Sequence, residues 1–144
     1  MGALIITESS DDITRFDEEK KLGETGYCLE QRINWTAPSS AASGGDEATF
    51  ECPGGFLQNL LVIPGSPSPS NQHDIEFGHP RSNSVDVLRG ALTDLSNTDA
   101  AIFQPSGAND KTPVYLRKGT YTLRVVNNSV NSAQGQLVLE LLHI

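Results

Sequence analysis

Thiols, positive charge and long apolar runs are what this chain has least of. Its two cysteines, Cys28 and Cys52, are too few and too widely spaced for a zinc motif. In a reducing compartment they read as small buried hydrophobes, and a disulfide requires their strands to be neighbours. Lysine and arginine total 10 against 18 aspartates and glutamates, a net charge of -8. Phosphate backbones select clustered cations, and the densest positive stretches here are the pairs Lys20-Lys21 and Arg117-Lys118. Binding to nucleic acid or to an anionic membrane is therefore not expected, and the excess negative charge serves solubility. No apolar run approaches the roughly 18 residues of a membrane span. Met1 to Ile6 has neither the basic region nor the apolar length of a signal peptide. The expectation is a protein made and kept in a cytoplasm until assembly.

Recognisable catalytic patterns are missing as well. There is no Gly-x-Ser-x-Gly nucleophile elbow. The glycines of "SGGDE" and "PGGF" lack the lysine and following helix of a phosphate loop. Asp11, Asp12, Asp17, Glu18 and Glu19 miss the alternation and central glycine of a calcium loop. The densest group of potential ligands is "HDIEFGH", holding His73, Asp74, Glu76 and His79. On a strand its two histidines have opposite parity and face opposite ways unless Gly78 bends the chain. Cys28 sits in a strand-like stretch with nothing nearby to activate a thiolate. No enzyme, metal or cofactor is expected.

What the chain does have is punctuation and period-two alternation. Its 13 glycines and 8 prolines are spread along 144 residues, a length suited to one domain. In "GYCLEQRINWTAP", Tyr27, Leu29, Ile33 and Trp35 share one parity and polar residues the other, the mark of a half-buried strand. "FLQNLLVIP" is apolar on both parities, as in a central strand covered on both sides. "PVYLRKGTYTLRVV" reads as a hairpin turning at Lys118-Gly119, and Gln136 to Leu142 as a final inner strand pairing with Tyr121 to Val126. The expected fold is all-β: a single-domain antiparallel β-sandwich, jelly-roll or Ig-like, of about eight strands. Residues 1–25 are expected as an N-terminal arm or extended segment and 26–144 as the sandwich domain. Trp35 and Tyr121 lie on the apolar parity of their strands and are expected in the core.

Several stretches in succession resemble a known family. "ITESSDDITR", "INWT", "GGFLQNLLVIPGSPSPSNQHDIEF", "VDVLRGAL" and "GTYTLRVVNNSVNSAQGQLVLEL" follow one another in the order found in a family of small virion proteins of tailed bacteriophages. "HDIEFGHPRSNSVDVL" departs from the more regular acidic turn of that family, and the N-terminal segment is longer and more charged. The resemblance implies a virion structural protein, assembled in the host cytoplasm, that decorates or cements a capsid. It implies the major capsid protein or another virion protein as partner, and a homo-oligomer with a trimer favoured. The alternatives are a tail or head–tail connector component, and a carbohydrate-binding β-sandwich using Trp35, Tyr115 or Tyr121 as a sugar platform. Contact with a partner is expected at the two apolar ends of the chain: Ala3, Leu4, Ile5 and Ile6, and Leu141, Leu142 and Ile144.

Overall fold

The computed structural model describes residues 2–12, 27–105 and 114–143. Eleven strands make up the described part: β1 (Gly2–Ala3), β2 (Ile5–Asp12), β3 (Tyr27–Thr36), β4 (Asp46–Cys52), β5 (Gly55–Pro64), β6 (Asp74–His79), β7 (Ser82–Asp86), β8 (Ala101–Phe103), β9 (Val114–Leu116), β10 (Gly119–Val126) and β11 (Gln134–His143). They form two stacked sheets. The first has the order β1-β4-β10-β6-β7, and the second β2-β3-β11-β5-β8, with β9 also on β5. Apart from the β6–β7 hairpin and the short β8 and β9, which share β5 as a partner, β3 to β11 alternate between the sheets along the chain. This connectivity is that of a jelly roll, in which consecutive strands lie across the core from each other. Counting β8 and β9 as one interrupted strand, β3 to β11 supply the expected eight. The excess comes from that interruption and from the divided N-terminal strand.

Within the segment expected as an N-terminal arm or extended segment, residues 2–12 pair with strands of the sandwich. Gly2–Ala3 runs parallel to β4, and Ile5–Asp12 runs antiparallel to β3 in the other sheet. Leu4, at the crossing, is buried and gives its N–H to the Glu47 carbonyl at 3.1 Å. The expected boundary at residues 25 and 26 lies outside the described residues.

Alternating burial explains why each sheet has one dry face. Along β11, Leu137, Leu139 and Leu141 are fully buried, while Glu140 and Leu142 on the other parity are half-buried. Each such leucine contributes about 1.5 to 3 kcal/mol of transfer free energy. Opposite them, Phe50 meets Phe77 edge-on at 5.1 Å and stacks on Tyr121 at 5.8 Å. Trp35 and Tyr121 are 2% and 1% exposed, as their parity required.

Two expected pairings are corrected. β11 is a central strand, but it lies between β3 and β5, whereas β10 lies in the facing sheet between β4 and β6. Lys118-Gly119 is likewise not a hairpin turn: β9 pairs with β5 in the second sheet, and the chain then crosses to β10 in the first. The crossing is fixed by the Tyr121 hydroxyl, which donates to the Arg117 carbonyl at 2.8 Å. A second crossing, from β4 to β5, passes alongside through Gly54. That residue has φ +88°, and a Cβ there would lie 2.9 Å from the Lys118 nitrogen. Only glycine fits both constraints.

Candidate functional site

The polar groups that looked most like chemistry are occupied in holding loops. His73 is buried, and its Nδ1 lies 2.7 Å from the Ser70 carbonyl, which can only accept, so Nδ1 carries the proton. Burial holds its pKa below the ordinary 6.5 against the opposing effects of that bond and of Asp74. Asp74 itself accepts from the Asp94 N–H and from Asn127 Nδ2. His79 Nδ1 accepts from the Arg81 N–H at 3.0 Å. Asp86 takes the N–H groups of Phe77, Leu88 and Gly90. Among the described residues no three His, Cys, Asp or Glu side chains group to hold a metal ion. No disulfide joins the two cysteines: Cys52 is buried in β4 of the first sheet and Cys28 is half-buried in β3 of the second, so their strands are not neighbours.

The two outer faces of the sandwich differ in kind. On the first sheet, Arg124 reaches Glu47 at 3.0 Å and Glu76 at 3.0 Å, and Thr120 donates to Glu51 at 2.5 Å. The buried Thr122 lies between Thr49 and Gly78 in register. These polar groups satisfy one another across strands.

The outer face of the second sheet carries rows of side chains running across the strands. One row is apolar: Cys28, Leu142 and Phe56 stand side by side in register, and Phe56 is followed by Tyr115 on β9. The rings of Phe56 and Tyr115 meet edge-on at 5.1 Å, and Tyr115 is 61% exposed. A second row sets Val138 between Arg32 and Leu61, with Ile102, 57% exposed, beyond Leu61. Between them runs a polar row. Glu30 and Glu140 stand opposite each other, Arg32 pairs with Glu30, Asn59 donates to Glu140 and Gln104 donates to Asn59. A further row carries Asn34, Gln136 and Ile63, with the Gln136 amide donating to Asn34 at 2.9 Å. It lies in a groove of about 330 Å³ that Gln134 and Thr36 also line. A smaller hollow of about 160 Å³ sits between Phe56, Tyr115, Lys118, Leu142 and His143.

The residues expected at a partner contact divide between core and surface. Leu4 and Leu141 belong to the chain's own core, and Ile6 packs against it. Ala3 is exposed on the edge strand β1, Ile5 is 67% exposed on β2, and Leu142 is half-buried in the apolar row. Ile144 lies outside the described residues. Sequence reasoning offered Tyr115 as a surface residue only in the sugar-platform alternative, and missed Phe56 and Ile102 beside it. Their alternation marks which face of a strand they occupy, but not whether that face meets the opposite sheet or the outside.

Among the described residues no helix is long and apolar enough to cross a membrane. No protein-family model and no curated protein sequence matches the chain.

Proposed function

We propose that this chain is a non-catalytic structural protein of a bacteriophage particle, a decoration module that binds the major capsid protein through the outer face of its second sheet. The observation that supports docking there is the exposed Phe56–Tyr115 pair, continued by Leu142 across the strands. Exposed aromatics in contact with each other are costly to leave in water and are common anchors of protein interfaces. The outer face of the first sheet, with its ion pairs already made, offers no comparable gain. The virion setting rests on the ordered sequence resemblance, from "ITESSDDITR" to the closing strand. Contacts made only on an assembled shell would stabilise it by mass action.

The test is co-sedimentation of the protein with its particle, followed by cryo-EM of the complex. Many copies spread over the shell, with Tyr115 at the contact, is the expected result. About a dozen copies at one vertex would instead give the connector alternative, and no association would end the virion reading.

The carbohydrate-module reading draws support from one observation, the groove in which Asn34, Gln134 and Gln136 present amides. Trp35 and Tyr121 are buried and offer no platform. Glycan-array binding abolished by Gln136→Ala and untouched by Tyr115→Ala would favour that reading over docking.

A further inference from the structure

The edge strands of the sandwich are not equally protected. β1 has 2 residues, and β8 and β9 have 3 each. β7 has 5, and its pairing with β6 breaks register between Gly78 and His79. Short or irregular edges resist the addition of another strand, whereas long regular ones invite it. β2 is of the second kind: its 8 residues pair with β3 from Ile5–Thr36 to Asp12–Leu29 without a register break. Among the described residues β2 pairs on that side alone.

The chemistry of this edge selects its occupant. β2 contains Glu8, Asp11 and Asp12 and no lysine or arginine, and Asp11 stands opposite Glu30 of β3. The Glu8 carboxylate is held in place, because Gln31 Nε2 donates to it at 3.0 Å while donating to the Glu51 carbonyl at 2.6 Å. A second copy of this strand, paired antiparallel, would bring two sets of these carboxylates together, which is unfavourable across a sheet. A strand with cations at alternating positions would satisfy the backbone groups and place its charges on the face of one carboxylate parity, either that of Glu8 and Asp12 or that of Asp11.

We infer that β2 is an augmentation edge that accepts an extended lysine- or arginine-bearing segment of a partner protein as an additional strand of the second sheet. This goes beyond the docking reading, since it uses the edge of the sheet rather than its outer face, and each can fail without the other.

The experiment uses the full chain and an acetylated, amidated ten-residue peptide alternating lysine with threonine or valine. A control peptide keeps the lysines, with their backbone nitrogens methylated, and has proline at the intervening positions, so that it has equal charge and no N–H left to donate along a ladder. Amide exchange within residues 5–12 should slow on adding the first peptide. The proline control should bind about tenfold more weakly or worse, a difference of about 1.4 kcal/mol. Asp11→Lys should weaken the first peptide several-fold without lowering the thermal midpoint, since a lysine opposite Glu30 replaces a like-charge pair. Equal binding of both peptides would show attraction by bulk charge alone and overturn the inference. So would protection confined to other strands, or no binding at low salt.

Discussion

The Tyr121 hydroxyl donates to the Arg117 carbonyl, four residues upstream, at 2.8 Å. The phenol ring is in the core while its oxygen reaches back to the point where the chain leaves the second sheet for the first. One side chain therefore serves both the packing of β10 and the sharp passage from β9. Tyr121→Phe keeps the ring and removes the bond. The expected cost is about 1 to 2 kcal/mol, since a carbonyl near the core loses its donor. Urea unfolding should show a lower midpoint with an unchanged slope.

Alkaline pH should weaken the same region. Burial pushes the Cys52 thiol from 9.0 up to about 11, with the Gly54 N–H acting against it and Glu8 adding to it. Burial also raises the Tyr121 phenol well above its ordinary 10.0. Both pKa values are raised on folding, so each group's stabilisation is complete below its unfolded pKa. It is lost as pH climbs toward the folded one, because the unfolded chain ionises first. Stability should fall between pH 9 and 11, and in Cys52→Ala the fall between pH 9 and 10 should be smaller. Urea midpoints at half-unit pH steps measure both.

On the acid side the sensitive group is His73. Its folded pKa is depressed by burial, so its contribution is complete above 6.5 and is lost as pH falls through the folded value. Protonation would charge a side chain that is 2% exposed and bridges Ser70 to the loop before β6. His73→Asn can place an amide nitrogen near the position of Nδ1, keeping a donor for Ser70 without a titrating ring. Between pH 7 and 5 the variant should lose less stability than the parent, as read from thermal midpoints.

Gly135 and Trp35 are opposite each other in register, and the indole fills the place of a side chain at 135. A Cβ there would lie 2.6 Å from Cε2 and Cζ2 of the ring and 2.7 Å from Nε1. Neither the buried ring nor the central strand can move aside cheaply. Gly135→Ala should cost about 3 kcal/mol, at the upper end for overpacking, and should shift the emission of the single tryptophan. An unchanged melting midpoint would contradict this packing.

These relationships show how far the sequence could be read. The two-residue period of β3 and β10 was enough for the fold class and for the burial of Trp35 and Tyr121, because side-chain alternation is a local property. By contrast β5, apolar on both parities and expected to be covered on both sides, leaves Phe56 on an open outer face. Sheet membership is not local. In a jelly roll the strand next in sequence generally lies across the core, so Tyr121–Val126 and Gln134–His143 face each other instead of pairing. A Gly at 119 reads as a hairpin turn whether the chain doubles back or crosses over. The burial of His73 could not be read from its sequence neighbours, since it depends on the bridge to Leu95, 22 positions away in sequence. The outer apolar row was hidden for the same reason. It needs Leu142, Phe56 and Tyr115 from β11, β5 and β9, which only the register brings together.

That row permits a test separating binding from folding. Tyr115 is 61% exposed and its principal ring contact is Phe56, itself 37% exposed. Surface substitutions away from core, caps and networks usually change stability by less than about 0.5 kcal/mol. Tyr115→Ala should therefore leave the urea midpoint nearly unchanged. At an interface centre, truncating an aromatic anchor costs about 2 kcal/mol or more, over tenfold in affinity. Tyr115→Ala should thus fail to co-sediment with the particle at concentrations where the parent binds, while Arg124→Ala, on the opposite outer face, should bind as the parent does. If the two variants lose binding equally, the second sheet is not the docking face. If Tyr115→Ala binds normally and Arg124→Ala does not, the contact lies on the first sheet.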